Sequence, residues 1–296
     1  MGRFLLFSLL LVGVFFGGRY AAQKWDVYHP AIATSMPTCA PSIPAPYALE
    51  NRPFAILIVG FNNGAVVGKT LRSVFSQNYE NYRAIYIDDA SDDGSFELAR
   101  DLIYESGHMG QVTFVHNEQR LGMLANLSRA VELLSDEEIA VVLHGEDWLA
   151  HEWVLQRLNA YYASSDVWMT FGQSRDFPTY QLGSARPYKE ASVRSEPFTA
   201  THLKTFYAGL FKKVRPFDLM SGGKFLQAYA DLAYMIPMLE LAGPHAQFIS
   251  EVLYIQNRQG NYKEDREVQL RCEKFIRGLD VYPALTCLFS REKCGE

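Results

Sequence analysis

Two pairs of adjacent carboxylates carry the chemistry in this chain, Asp88-Asp89 and Glu146-Asp147. Each ends an apolar run, residues 82–87 in one case and 141–143 plus His144-Gly145 in the other. Ionised carboxylates side by side repel each other, so such a pair is stable only when solvated or holding a cation. Oxygen-rich turns suit Mg2+ or Mn2+, which take one or two carboxylates and share the rest of their shell with phosphates. The other reading of Glu146-Asp147 is a solvated turn whose aspartate caps a helix opening at Trp148.

The elements around these pairs place them. Residues 54–59 are wholly apolar, preceded by Pro53 and followed by Gly60-Phe61-Asn62-Asn63-Gly64, the pattern of a central parallel strand ending in a turn. Val66-Val67, Leu71, Val74 and Phe75 then fall at helical spacing. Further strands are predicted at 82–87, near 112–116 and before His144, with helices near 95–104 and 123–134. Strand–helix alternation with short turns predicts an α/β fold with a parallel sheet. Ligands bind such sheets outside the carboxyl ends of the strands, where both acid pairs sit.

The later half is less regular. After a strand at 167–171, residues 173–204 carry Pro178, Gly183, Pro187 and Pro197 with the aromatics Phe177, Tyr180 and Tyr188. Loops this long inside a compact domain are usually functional. His202, Lys204 and Tyr207 are read as a helix. Asp231 opens a helix with Leu232, Met235, Ile236 and Leu239, closed by Gly243-Pro244. A charged terminal helix is expected over 263–279.

These segments, in this order, resemble family 2 of the glycosyltransferases, which have the GT-A fold. The residues that carry the resemblance are the Phe61-Asn62 turn, the run 70–79 (TLRSVFSQNY) and Ile87-Asp88-Asp89-Ala90-Ser91-Asp92-Asp93-Gly94, which the family writes V-D-D-x-S-x-D-G. Leu121-Gly122, Asn126 and the turn 144–148 continue it, so the match is close over about 52–171 and looser beyond. It implies a Rossmann-like, mostly parallel central sheet flanked by helices, with a smaller C-terminal acceptor part. The implied domain covers 51–296: a nucleotide-sugar half at 51–172, an acceptor half at 173–262, and a helix and tail at 263–296.

By resemblance, Asp89 meets the base or ribose of a nucleotide-sugar, Phe61 and Asn62 line the base pocket, and Arg120 and Arg258 approach the diphosphate. Glu146 and Asp147 match the last two acids of the family's D-x-D-D turn and would hold Mn2+ or Mg2+. Asp231 matches the general base of an inverting transfer, with Asp218 the second candidate. The implied co-substrate is a UDP- or GDP-sugar, and the acceptor a glycan, lipid-linked or protein hydroxyl. The chain departs from the family at His144, Glu146 and Ala230, which replace an Asp, an Asp and a Glu. His144 is read either as a metal neighbour or as a strand-end histidine. Asp88, Asp92 and Asp93 are read as turn and cap residues. Two alternatives stand beside this: a GT-A-like scaffold without catalysis, or another metal-dependent, nucleotide-using transferase. The latter should show a basic residue in its first phosphate loop, and here none comes between Gly60 and Lys69.

Composition bounds the rest. The chain has 296 residues, 48% of them hydrophobic, and a formal charge of −5, which gives no footprint for nucleic acid. Residues 1–25 contain the uncharged run 4–18 and are expected to form a single-pass membrane anchor in preference to a cleaved signal. A proline-rich stalk is expected over 26–50. The flanking charges balance, so the side of the membrane is open. Cys39, Cys272, Cys287 and Cys294 fix no compartment, although Cys287 and Cys294 are close enough in sequence to pair.

Overall fold

The computed structural model describes residues 50–188, 193–259 and 265–289. The expected anchor and nearly all of the stalk lie outside them. Among the described residues no helix is long and apolar enough to cross a membrane.

Strand β1 (Phe54–Gly60) is buried at every position, as an uninterrupted apolar run requires. It pairs in parallel with β2 (Tyr82–Asp88) and β4 (Ile139–His144), and β2 pairs in parallel with β3 (Val112–His116). Helices α1 (Val67–Phe75), α2 (Ser95–Glu105) and α3 (Met123–Glu132) make the connections. Gly60 is level with Asp88, and Val59 with His144. That register brings both acid pairs to one edge of the sheet.

The chain continues through β5 (Trp148–Leu149), α4 (Val154–Tyr162), β6 (Met169–Phe177), β7 (Lys204–Tyr207), α5 (Ala208–Phe211) and the two-stranded ribbon β8 (Met220–Ser221) and β9 (Lys224–Phe225). It ends in α6 (Ala230–Ala242), β10 (Ala246–Asn257) and α7 (Arg266–Arg277). The main sheet has the order β3-β2-β1-β4-β7-β6-β10-β5. Only β7 and β5 run against the others, so the sheet is mostly parallel, as expected.

Three local expectations are corrected. Trp148 opens a short strand, not a helix, because Ile255 and Tyr254 of β10 offer Trp148 and Leu149 a ladder. Lys204 and Tyr207 lie on β7, not on a helix, with His202 just before it. Thr205, Phe206 and Tyr207 are β-branched or aromatic, and pairing with β4 and β6 on both sides overrides a short helical spacing. Strand β6 also runs on to Phe177, six residues past its expected end, because β10 pairs with it as far as Asn257.

Helix α6 is hydrophobic on nearly every side, which is the mark of a helix enclosed by the core. Its one buried acid, Glu240, takes both arms of Arg194, which also donates to the Ile276 carbonyl on α7. The two side chains are 11% and 5% exposed, so removing one strands the other's charge without solvent. Glu240→Ala is expected to cost about 3–5 kcal/mol. Denaturant unfolding should show a lower midpoint with an unchanged slope; an unchanged midpoint would refute the role of this pair.

Candidate active site

The turn after β4 is built around Gly145. A Cβ there would stand 2.6 Å from the Gly60 Cα, so only glycine lets the ends of β1 and β4 come this close. The Gly145 carbonyl accepts from Asn63 Nδ2 at 2.7 Å and Thr70 Oγ1 at 2.9 Å. The turn is thereby fixed from two sides before its acids begin. Glu146 then faces solvent, while Asp147 turns inward and is 1% exposed.

Asp147 accepts from the Tyr254 hydroxyl at 2.6 Å and the Asn257 amide at 2.7 Å. Burial pushes its carboxyl up to about 6 and the Glu146 charge adds to this, against the pull of His144, Tyr254 and Asn257. His144 Nδ1 lies 3.9 Å from both Glu146 Oε1 and Asp147 Oδ2. The ligand atoms of the three lie within 4.8 Å of one another. Each Asp147 oxygen keeps a lone pair beyond its hydrogen bond, so the carboxylates fit a hard divalent cation.

A second group meets this turn from β7 and α6. Because β7 runs antiparallel to β4, with Lys204 level with Val142, its beginning faces the acid edge. The His202 ring stacks on Tyr254 at 4.5 Å and meets His144 edge-on at 4.8 Å. Lys204, with no exposed side-chain surface, reaches Asp231 Oδ2 at 2.5 Å. Asp231 Oδ1 accepts from the Tyr234 hydroxyl at 3.1 Å. Burial alone would raise the Asp231 carboxyl; Lys204, His202 and His144 outweigh it and hold the group below the usual carboxylate range. Burial lowers both His202 and Lys204, Asp231 opposing it in each case.

The turns after β1, β2 and β3 form the neighbouring wall. Asp89 is buried and accepts from the Leu121 and Gly122 amides, both at 2.8 Å, and from Asn117 Nδ2 at 2.9 Å. These donors overcome burial and lower its pKa. The Arg120 guanidinium lies over the Phe61 ring at 3.8 Å. Asn62 sits in the left-handed region at φ 49° and exchanges hydrogen bonds with Asp92. Asp88 accepts from the Ser91 amide and Asp93 from the Ser95 amide, the turn and cap chemistry read from sequence. Beyond the acids, Lys69 Nζ stands 3.5 Å from the Trp148 ring and 4.2 Å from that of Phe177. Arg258, just past β10, pairs with Asp176 at 3.2 Å.

Glu146, Asp147 and Asp231 thus meet in one cluster, with Phe61, Asn62, Asp89 and Arg120 on the adjoining strand ends and Arg258 at the far side. Asp218 stands apart: its carboxylate is committed to Arg215 and the Tyr282 hydroxyl. Sequence reasoning passed over the structural roles of Asn63 and Tyr254, and it placed His202 and Lys204 on a helix. Recognising the strand in Lys204-Thr205-Phe206-Tyr207 would have placed the last two.

Acids, basic residues and aromatics gather at the carboxyl edge of a mostly parallel sheet, the edge at which α/β folds bind their ligands. The chain belongs to glycosyl transferase family 2, whose family model matches residues 55–215. Among curated proteins it is 28% identical over 121 residues to Uncharacterized protein MT1568 of Mycobacterium tuberculosis (strain CDC 1551 / Oshkosh), 41% of this chain and 36% of that one. Among solved structures it resembles S. aureus TarS 1-349 in complex with UDP, with TM-score 0.54 and 13% identity over 69% of this chain and 60% of that one. It also resembles the mannosyltransferase PcManGT from Pyrobaculum calidifontis in complex with GDP-Man and Mn2+, with TM-score 0.52 and 17% identity over 71% and 59%. The chain therefore spans about a third of the curated relative and three fifths of these structures. At such identities the likeness is one of fold, and the fold is GT-A.

Proposed function

We propose that this protein transfers a sugar from a nucleoside-diphosphate donor to an acceptor hydroxyl with inversion, Asp231 acting as base and Glu146 and Asp147 holding a divalent cation. The observation that carries this reading is the meeting of Asp147 and Asp231 in one cluster beside the turn that Asp89 holds. The donor classes of the structural neighbours, UDP, UDP-GlcNAc and GDP-Man with Mn2+, support a nucleotide-sugar.

The chain's own groups divide the work. Phe61, Asn62 and the Asp89-held turn take the nucleoside. Arg120 and Arg258 lie on the two sides from which cationic groups approach a diphosphate. When bound, the cation neutralises charge that develops on the departing nucleoside diphosphate. Asp231 takes the acceptor proton; its side chain is 28% exposed and so meets the cleft. Phe177 and Tyr180, in the half that begins at residue 173, offer apolar faces to an acceptor. Residues 1–25 tether the domain to a membrane.

Thermal unfolding with UDP or GDP plus Mn2+ tests the reading. A ligand at one hundred times its dissociation constant stabilises by about 2.7 kcal/mol, which for a domain of this size is a rise of roughly 5–10 °C. The rise should require the metal. A flat response to every nucleoside diphosphate would favour a scaffold that has kept the fold.

A further inference from the structure

The Lys204 ammonium lies against side chains that are spaced like the ligands of a cation. The ligand atoms of His144, His202 and Asp231 lie within 4.8 Å of one another, the spacing of a cation site. Lys204 Nζ meets two of the three, standing 2.5 Å from Asp231 Oδ2 and 3.4 Å from both ring nitrogens of His202. Its side chain has no exposed surface, whereas that of Asp231 is 28% exposed. The carboxylate therefore stands between a buried positive charge and solvent.

We infer that Lys204 is a positioning residue for the transfer step: its ammonium serves as a built-in cation that orients the Asp231 carboxylate and keeps it ionised, leaving the divalent metal to Glu146 and Asp147. This rests on the transferase reading above. Among the described residues, the charged and titratable groups facing Asp231 are Lys204 from β7, His202 just before it, His144 from β4 and Tyr234 from its own helix. Lys204 is the strongest of the groups opposing the burial that would otherwise protonate a base in this place. The arrangement trades some proton affinity for a base that is never blocked by a proton at neutral pH.

The test follows Asp231 itself, in the full chain in detergent. Aspartate labelled with 13C at the carboxyl reports its titration, the signal being assigned by its loss in Asp231→Asn. In the wild-type protein the signal should stay that of a carboxylate as pH falls through the ordinary range. In Lys204→Met it should titrate about one to three pH units higher. The acid limb of the kcat profile should move with it. If Lys204→Met fails to fold, the double variant Lys204→Met/Asp231→Asn, which leaves no unpaired charge, should fold. On the Asp231→Asn background, adding Lys204→Met should change kcat less than twofold. An unmoved Asp231 titration, or a further large loss in that double variant, overturns the inference even in an active enzyme. Absence of transfer by the wild-type chain with every nucleotide-sugar overturns the function on which it rests, whatever the titration shows.

Discussion

Asp147→Asn is expected to lower transfer by roughly 10²–10³-fold while leaving the fold in place, the loss that several kcal/mol of missing charge stabilisation brings. The variant keeps the shape of the side chain and an acceptor for the Tyr254 hydroxyl or the Asn257 amide. It removes a charge that the folded protein accommodates poorly. The sign follows from the direction of the shift. Asp147 has its folded pKa raised to about 6, so its ionised form is disfavoured by folding. Below the ordinary carboxylate value both states hold the proton and nothing is lost. As pH rises from that value through about 6, the metal-free protein loses stability, and the penalty persists above. Mn2+ should therefore raise the melting temperature more at pH 7 than at pH 5, because proton and cation compete for one carboxylate. Asp147→Asn should abolish that difference. Wild-type activity in this variant, or a Mn2+ effect indifferent to pH, would remove Asp147 from the cation site.

Asp231→Asn should lower turnover by about 10²–10⁴-fold, the usual worth of a positioned base. Donor affinity should stay within about twofold, since the change touches neither the nucleoside wall nor the Glu146-Asp147 turn. Here the shift has the opposite sign. Asp231 is held below the ordinary carboxylate range, so its contribution to stability is present above that range and is lost only as pH falls through the depressed value. Turnover should accordingly show no acid limb from Asp231 as pH falls through the ordinary carboxylate range of about 4. Steady-state kinetics with a fixed acceptor measures both. Unchanged turnover would move the base elsewhere, and Asp218, bound to Arg215 and Tyr282, offers no ready substitute.

The first half of the fold was legible because its central strands β1, β2 and β4 are buried over most of their length and its helices present one apolar side. The run FAILIVG admits no other place than the middle of a parallel sheet, and it lies there. The acid pairs were legible for a related reason: polar turns stand out sharply against such strands. The second half was less so. Strand β7 has only four residues, and its direction is set by pairing with β4 and β6, which a local pattern does not encode. His202 and Lys204 consequently read as helix residues, although they lie against Asp231 at the sheet edge. The Asp89 carboxylate was legible as important, but its three backbone and side-chain donors come from residues 117–122, some thirty positions away. Contacts of that range are visible only when the chain is folded.

The reversed course of β7 has a consequence for how this enzyme diversifies. In a parallel strand, only the loop that leaves its carboxyl end reaches the chemistry. In β7 the loop that enters it does so, and this loop closes the irregular segment expected to meet the acceptor. On the transferase reading proposed above, insertions or exchanges just ahead of Lys204 would alter acceptor choice and the setting of the Asp231 carboxylate together. Descendants of such a chain would change partner and pH preference in a single evolutionary step, with the donor-side strands untouched.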